Sequence, residues 1–157
     1  MDQPADLNPR IIESLYAQGL MLSDQVRAAF DLTTRDTSRL PRDPEDPARI
    51  AQSCEALRTT TRMMHAVAWL LNHRAYLQGE ISEFQLRRHG RIATNLPPSE
   101  PERLALLAPD VQELILETER FLARLVRLDT TWREQDQRAE PAIERLRQRL
   151  AQAVRQG

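Results

Sequence analysis

At 157 residues, 41% hydrophobic and 29% charged, the chain has the size of one globular domain with a single core. The formal net charge of −1 gives no global attraction to nucleic acid or acidic lipid. All 22 basic residues are arginine, as GC-rich codon usage favours, which excludes Schiff-base and P-loop lysine chemistry. Glycine is scarce, and Ala, Leu, Arg, Glu and Gln dominate; these are the strong helix formers, so the composition predicts an all-α protein.

In chain order, residues 1–8 form an N-terminal tail, acidic at its start and without the basic-then-apolar run of a signal peptide. Asn8-Pro9 then gives an N-cap followed by proline at the first helical position. The first helix carries Ile12, Leu15, Gly19, Leu22, Val26 and Ala29 in one row and is expected to end near Leu32. A polar, proline-containing loop over 33–46 follows. Asp46-Pro47 repeats the cap and opens the longest predicted helix, stopped by Gly79. Ile50, Cys54, Leu57, Thr61, Met64, Ala68, Leu71 and Ala75 alternate by four and three along it, the spacing of a helix–helix seam. A second arc of Ala56, Thr60, Met63, Val67 and Leu70 widens the apolar surface, which places this helix at the centre of a bundle.

Ser82 and Gln85 form a capping box for a short helix reaching about Gly90. A loop with Pro97, Pro98 and Pro101 leads to a third long helix from Pro109, with Val111, Ile115, Thr118, Leu122 and Leu125 in its row. Leu114, Phe121, Leu128 and Trp132 broaden that stripe. Pro141 marks a kink or a new start, followed by an amphipathic helix with Ile143, Leu146, Leu150 and Val154 on one side. The expected architecture is an antiparallel three-helix bundle over 9–132 with short additional helices, and 133–157 as a C-terminal amphipathic helix or tail. Charge agrees with that packing: residues 47–93 carry 7 Arg and 3 acids, between segments 1–46 (5 Arg, 9 acids) and 94–132 (4 Arg, 7 acids).

Chemistry-bearing patterns are sparse. His65, His73 and His89 form neither His-Glu-x-x-His nor the Glu-x-x-His of di-iron bundles. Cys54 sits on the expected seam, where a buried thiol is inert; a single cysteine makes no intramolecular disulfide and suits a reducing cytoplasm. The longest apolar stretch, 63–71, is far too short to cross a bilayer. No catalytic, cofactor-binding or metal-binding residue is therefore assigned, and no enzymatic activity is expected. The unusual feature is a stripe of Arg58, Arg62, His65, Trp69, His73 and Tyr76 beside the seam, begun by Glu55. Arg58 and Arg62 repel one another at i, i+4 and need acidic partners. Those partners are carboxylates inside the bundle or on another protein, since Arg, Trp and Tyr are enriched in binding hot spots. Arg87, Arg88, His89 and Arg91 form a basic cluster that reads as a solvated turn; as an alternative it makes the chain a DNA-associated regulator.

The run Ser53-x-Glu55-Ala56-Leu57-Arg58, Thr60-Thr61-Arg62, Trp69-Leu70-Leu71, Arg74-Ala75 and Gly79-Glu80 resembles an alphaproteobacterial family, once a domain of unknown function, that includes the regulator of CtrA degradation. The likeness is sharpest over 53–80 and extends from about 10 to 132. The resemblance implies a three-helix bundle, homodimeric and non-enzymatic, acting as an adaptor in cell-cycle proteolysis. In that role it joins the ClpX–ClpP protease, primed by a response-regulator-like partner, and helps recruit substrate proteins or further adaptors. Family adaptors are expected to carry a flexible C-terminal tail, whereas the last 17 residues here read as helix. Membrane and nucleic acid are not expected partners, and a purely structural dimeric bundle is the bland alternative.

Overall fold

The computed structural model describes residues 7–36 and 45–155. It is all-α among those residues: α1 (Pro9–Asp36), α2 (Pro47–Leu77), α3 (Glu83–His89), α4 (Pro101–Leu104) and α5 (Pro109–Arg155). The predicted starts are built as the sequence signals them. Asn8 Oδ1 accepts from the Arg10 amide at 2.9 Å, and Asp46 caps α2 by accepting from the Ala48 amide at 3.1 Å. Gly79, at φ 76°, turns the chain out of α2 in a conformation that L side chains avoid. The Ser82–Gln85 capping box is complete in both directions. Helix α1 runs four residues beyond its expected end, and the single turn α4 was not expected. The rest of the expected 33–46 loop lies partly outside the described residues.

The three long helices pack mutually, but not all antiparallel. Glu13 pairs with Arg74 at 2.7 Å and Gly19 lies against Leu70, so α1 and α2 run in opposite directions. Arg62 meets Thr118, Trp69 meets Asp129 and His73 meets Trp132. These separations are nearly constant, so α5 runs parallel to α2. The expectation of an antiparallel neighbour fails there because residues 90–100 carry the chain back along the bundle with no helix or strand hydrogen-bonding pattern. Ile92 from that segment is buried in the core.

The core is built from Ile12, Leu15, Leu22 and Val26 of α1, Met63, Ala66, Trp69 and Leu70 of α2, and Phe121 and Leu125 of α5. Each such fully buried aliphatic side chain contributes roughly 2 kcal/mol through removal of apolar surface from water. The rows read on α1 and α5 face inward as expected, with Ala29 and Leu122 only half-buried. The seam read on α2 does not. Leu57 and Met64 are 71% and 65% exposed, and Ile50 and Leu71 are exposed as well. The inward face of α2 is instead Ala51, Glu55, Thr59, Arg62, Met63, Ala66, Trp69, Leu70 and His73. Apolar periodicity cannot see a buried face nearly half made of polar groups: Arg62 is held by partners 37 to 57 residues away, while Thr59 Oγ1 and Glu55 Oε2 have no hydrogen-bond partner among the described residues. Cys54, expected to be buried on that seam, is half-buried.

Helix α5 is a single helix of 47 residues, about 70 Å long at ~1.5 Å per residue. It continues through position 141, where a kink or a fresh start was expected. Proline there removes one backbone donor, and strong helix formers lie on both sides. Trp132 is its last buried residue among those described. No helix among the described residues is long and apolar enough to cross a membrane.

Candidate functional site

The stripe singled out on α2 lies mostly at the contact with α5 and the 90–100 segment. Near its N-terminal end Glu55 is buried and accepts from Arg58 Nη1 at 3.4 Å. Arg58, partly exposed, also donates to Glu100 Oε1 at 2.6 Å and to the Pro98 carbonyl. The hydrogen bond to Glu100 raises the Arg58 pKa from its ordinary value and holds the Glu100 carboxyl below its own.

One turn on, Arg62 is 3% exposed. Its guanidinium donates to Thr118 Oγ1 at 2.9 Å, to Glu119 Oε1 at 3.1 Å and to Ser99 Oγ at 3.4 Å. Burial pushes the Arg62 pKa down, against the opposing pull of Glu119 and Glu55. Glu119 Oε1 also accepts from the Ser99 amide at 2.8 Å. Arg62 and Glu119 thereby hold Ser99, and with it the returning segment, against both helices.

Towards the C-terminal end of α2 the stripe is aromatic. The Trp69 indole donates to Asp129 Oδ1 at 2.9 Å, and Asp129 Oδ2 accepts from Arg133. The His73 ring stands 4.0 Å from Trp69 and 5.4 Å, edge-on, from Trp132. His73 Nδ1 is 3.0 Å from the Trp69 carbonyl, which accepts, so the proton sits on Nδ1 and Nε2 carries the lone pair. Nε2 has no hydrogen-bond partner. Beside the ring is a void lined by Leu7, Tyr76, Leu77, Leu86 and Trp132, too narrow for a water molecule. Burial lowers the His73 pKa, opposed by the Trp69 carbonyl and Asp129 and assisted by Arg133.

Arg62, Trp69 and His73 are thus buried within one chain, Arg58 and Tyr76 are partly covered, and His65 alone of the six is exposed. The acidic partners sought for Arg58 and Arg62 are supplied inside the chain. Which distant carboxylates these are was not legible in the sequence, since Glu100 and Glu119 lie 42 and 57 residues from Arg58 and Arg62, and Asp129 lies 60 residues from Trp69. Only the acidic balance of 94–132 pointed towards them. No group of three or more His, Cys, Asp or Glu side chains among the described residues could hold a metal ion.

Much of what α2 leaves on the surface is apolar. Met64 and Leu71 join Leu20, Val26, Phe30 and Val67 around a groove of ≈ 620 Å³ between α1 and α2. A second exposed apolar row, Ile143, Leu146, Leu150 and Val154, lies on the distal part of α5.

A family model described as "Protein of unknown function (DUF1465)" matches residues 4–154. The chain belongs to this family. No curated protein and no solved structure matches the chain. The family match takes in all five helices, the distal part of α5 included, up to its final residue.

Proposed function

We propose that this member of the family is a non-enzymatic adaptor that helps deliver substrates to the ClpX–ClpP protease through protein–protein contacts, working as a homodimer in the cytoplasm. The observation that carries the reading is the run from Ser53 to Glu80, which resembles the family of the regulator of CtrA degradation. In that reading a response-regulator-like protein primes the protease, and the chain recruits substrates or further adaptors. Two features support a binding role. Arg58, Arg62, Trp69 and Arg74 of the α2 run hold the chain's own segments together, and large apolar side chains lie exposed on α1, α2 and distal α5. Apolar patches rimmed by polar residues are the common mark of interaction surfaces. An adaptor raises the local concentration of substrate at the protease, so modest individual affinities suffice when several contacts act together.

The test is protein turnover. Deleting the gene should lengthen the half-lives of a defined set of proteins after translation is blocked, with ClpX ATPase activity on unassisted substrates unchanged. If no protein outlives its counterpart in the parent strain, the adaptor reading fails.

A further inference from the structure

The connection that returns the chain along the bundle has an unused backbone edge. Residues 90–100 are neither helical nor turned nor bent, so they run as extended chain. Pro97 and Pro98 favour this, since each keeps the residue before it out of the helical conformation. Among the described residues, the backbone N–H and C=O groups of 91–97 make no hydrogen bond within the chain. Bonding resumes at the Pro98 carbonyl, which accepts from Arg58, and the Ser99 amide, which donates to Glu119. An extended stretch with unpaired backbone groups is a template for a second strand.

Beside this edge lies a groove of ≈ 450 Å³. One wall is the segment itself, at Ala93, Thr94 and Leu96; the other is α5, at Leu122, Ala123 and Val126. The segment runs antiparallel to α5, because Ser99 meets Glu119 while the Arg87 carbonyl meets Arg133. That direction orders the three charged side chains of the lining. At the Ser99 end, Arg62 and Glu119 are bound to each other. At the far end, Arg127 is exposed and has no partner among the described residues. Arg91, exposed and without a partner among them, belongs to the same end. Glu134 lies two turns beyond Arg127, beside α3, since the adjacent Arg133 already reaches the Arg87 carbonyl. On the neighbouring face of α5, Arg120 and Arg124 stand among Glu113 and Glu117 and add no net charge.

We propose that this groove holds an extended, carboxylate-bearing segment of a partner protein, paired by its backbone to residues 92–96. Alternate apolar side chains of that segment rest on Leu122 and Val126, and its carboxylate meets Arg127. A helical occupant would leave the edge unpaired, because its own backbone groups are already bonded. Pro97 and Pro98 carry no N–H and end the pairing. This deepens the proposed function by giving the class of partner, and rests on that reading only for the partner's part in proteolysis.

Selection from a display library of random decapeptides on the purified full chain tests it. Enriched peptides should alternate apolar and polar residues and carry Asp or Glu towards one end. Fluorescence anisotropy with the most enriched peptide then reads the contacts. N-methylation of alternate amides along one edge of that peptide should abolish binding, and along the other edge should leave it. Arg127→Glu should weaken binding by about tenfold or more, as loss of a charge-assisted hydrogen bond does. Ala123→Trp, which fills the groove from an exposed position, should abolish binding; circular dichroism verifies that both variants keep their helix content. No enrichment overturns the proposal, as do apolar residues enriched at spacings of three and four. The same response to methylation at either edge overturns the backbone pairing. Binding unmoved by both variants places the peptide elsewhere and overturns the groove. Self-association of the wild type that Ala123→Trp abolishes would make the occupant a second copy and overturn the foreign partner. Peptide binding that meets every expectation, with protein half-lives unchanged in the deletion strain, keeps the groove while the adaptor reading fails.

Discussion

Arg62 shows how a buried cation is made tolerable in this core. Its three acceptors come from α5 and the returning segment, and one of them, Glu119, carries the compensating charge. Glu119 keeps some solvent contact, with 28% of its side chain exposed, so the pair is less costly to break than a fully buried one. Arg62→Ala should lower stability by roughly 2–3 kcal/mol in urea unfolding. Glu100→Gln should cost less, since its pair with Arg58 is partly solvent-exposed and such pairs are screened, and the Arg58 bond to buried Glu55 stays in place. Equal losses for the two would show that the Thr118–Ser99–Glu119 set is not what holds the returning segment.

At His73 the same scale gives a pH dependence. Burial holds the folded-state pKa below the unfolded value, so the folded state favours the neutral ring. The stabilisation is complete above the unfolded pKa of ~6.5 and is lost as pH falls from there towards the folded value, because the unfolded chain binds the proton first. Within that window a single proton gives a slope of up to about 1.4 kcal/mol per pH unit. Unfolding free energies at pH 5, 6, 7 and 8 should fall more steeply on the acid side in the wild type than in His73→Gln. Parallel curves would mean that the ring is not kept neutral by its place between Trp69 and Trp132.

Among the elements, α1 lies close against both α2 and α5 at Gly19. A Cβ built there would lie 3.4 Å from Leu70 and Phe121 side-chain atoms, the near edge of ordinary contact. Gly19→Ala removes a glycine from a helix interior and should raise stability by about 0.5–1 kcal/mol if those side chains yield slightly. Gly19→Leu overpacks the same contact and should destabilise by roughly 1–3 kcal/mol. Thermal melting of the pair checks this, and a stabilised leucine variant would contradict the close approach. The α2–α5 pairing depends on a different device. A parallel neighbour requires a connection as long as the helices themselves, and residues 90–100 supply it, tied down by Ile92 in the core and Ser99 in the polar cluster.

For the molecule as a whole, burial and helix length part company at Trp132. Among the described residues burial along α5 ends there, while the helix carries on to Arg155. A chain ending at Gln135 should therefore keep a cooperative melt and the near-ultraviolet signal of Trp69 and Trp132. If the exposed apolar row of distal α5 joins two copies of the proposed homodimer, the melting temperature of the full chain should rise with protein concentration by mass action, and that of the shortened chain should not. A concentration-dependent melt in both would place the contact elsewhere on the surface.

The sequence by itself determined the starts and caps of α1, α2 and α3, the start of α5 and the inward rows of α1 and α5, but neither the turn α4 nor the unbroken length of α5, because backbone propensity, N-caps and an apolar 3.6-residue period are local properties. It also marked the stripe from Glu55 to Tyr76 as unusual. The tertiary structure decided which way that stripe faces. The apolar heptad of Ile50, Leu57, Met64 and Leu71 is the more hydrophobic row, yet it lies outside. Arg62, Trp69 and His73 lie inside because Thr118, Glu119, Asp129 and the Trp69 carbonyl meet them there. For Arg62 and Trp69, partners dozens of residues away set the balance between burying a polar group and leaving an apolar one in water. The direction of α5 was likewise invisible, since the path of residues 90–100 is fixed by those long-range bonds and by no periodicity of its own.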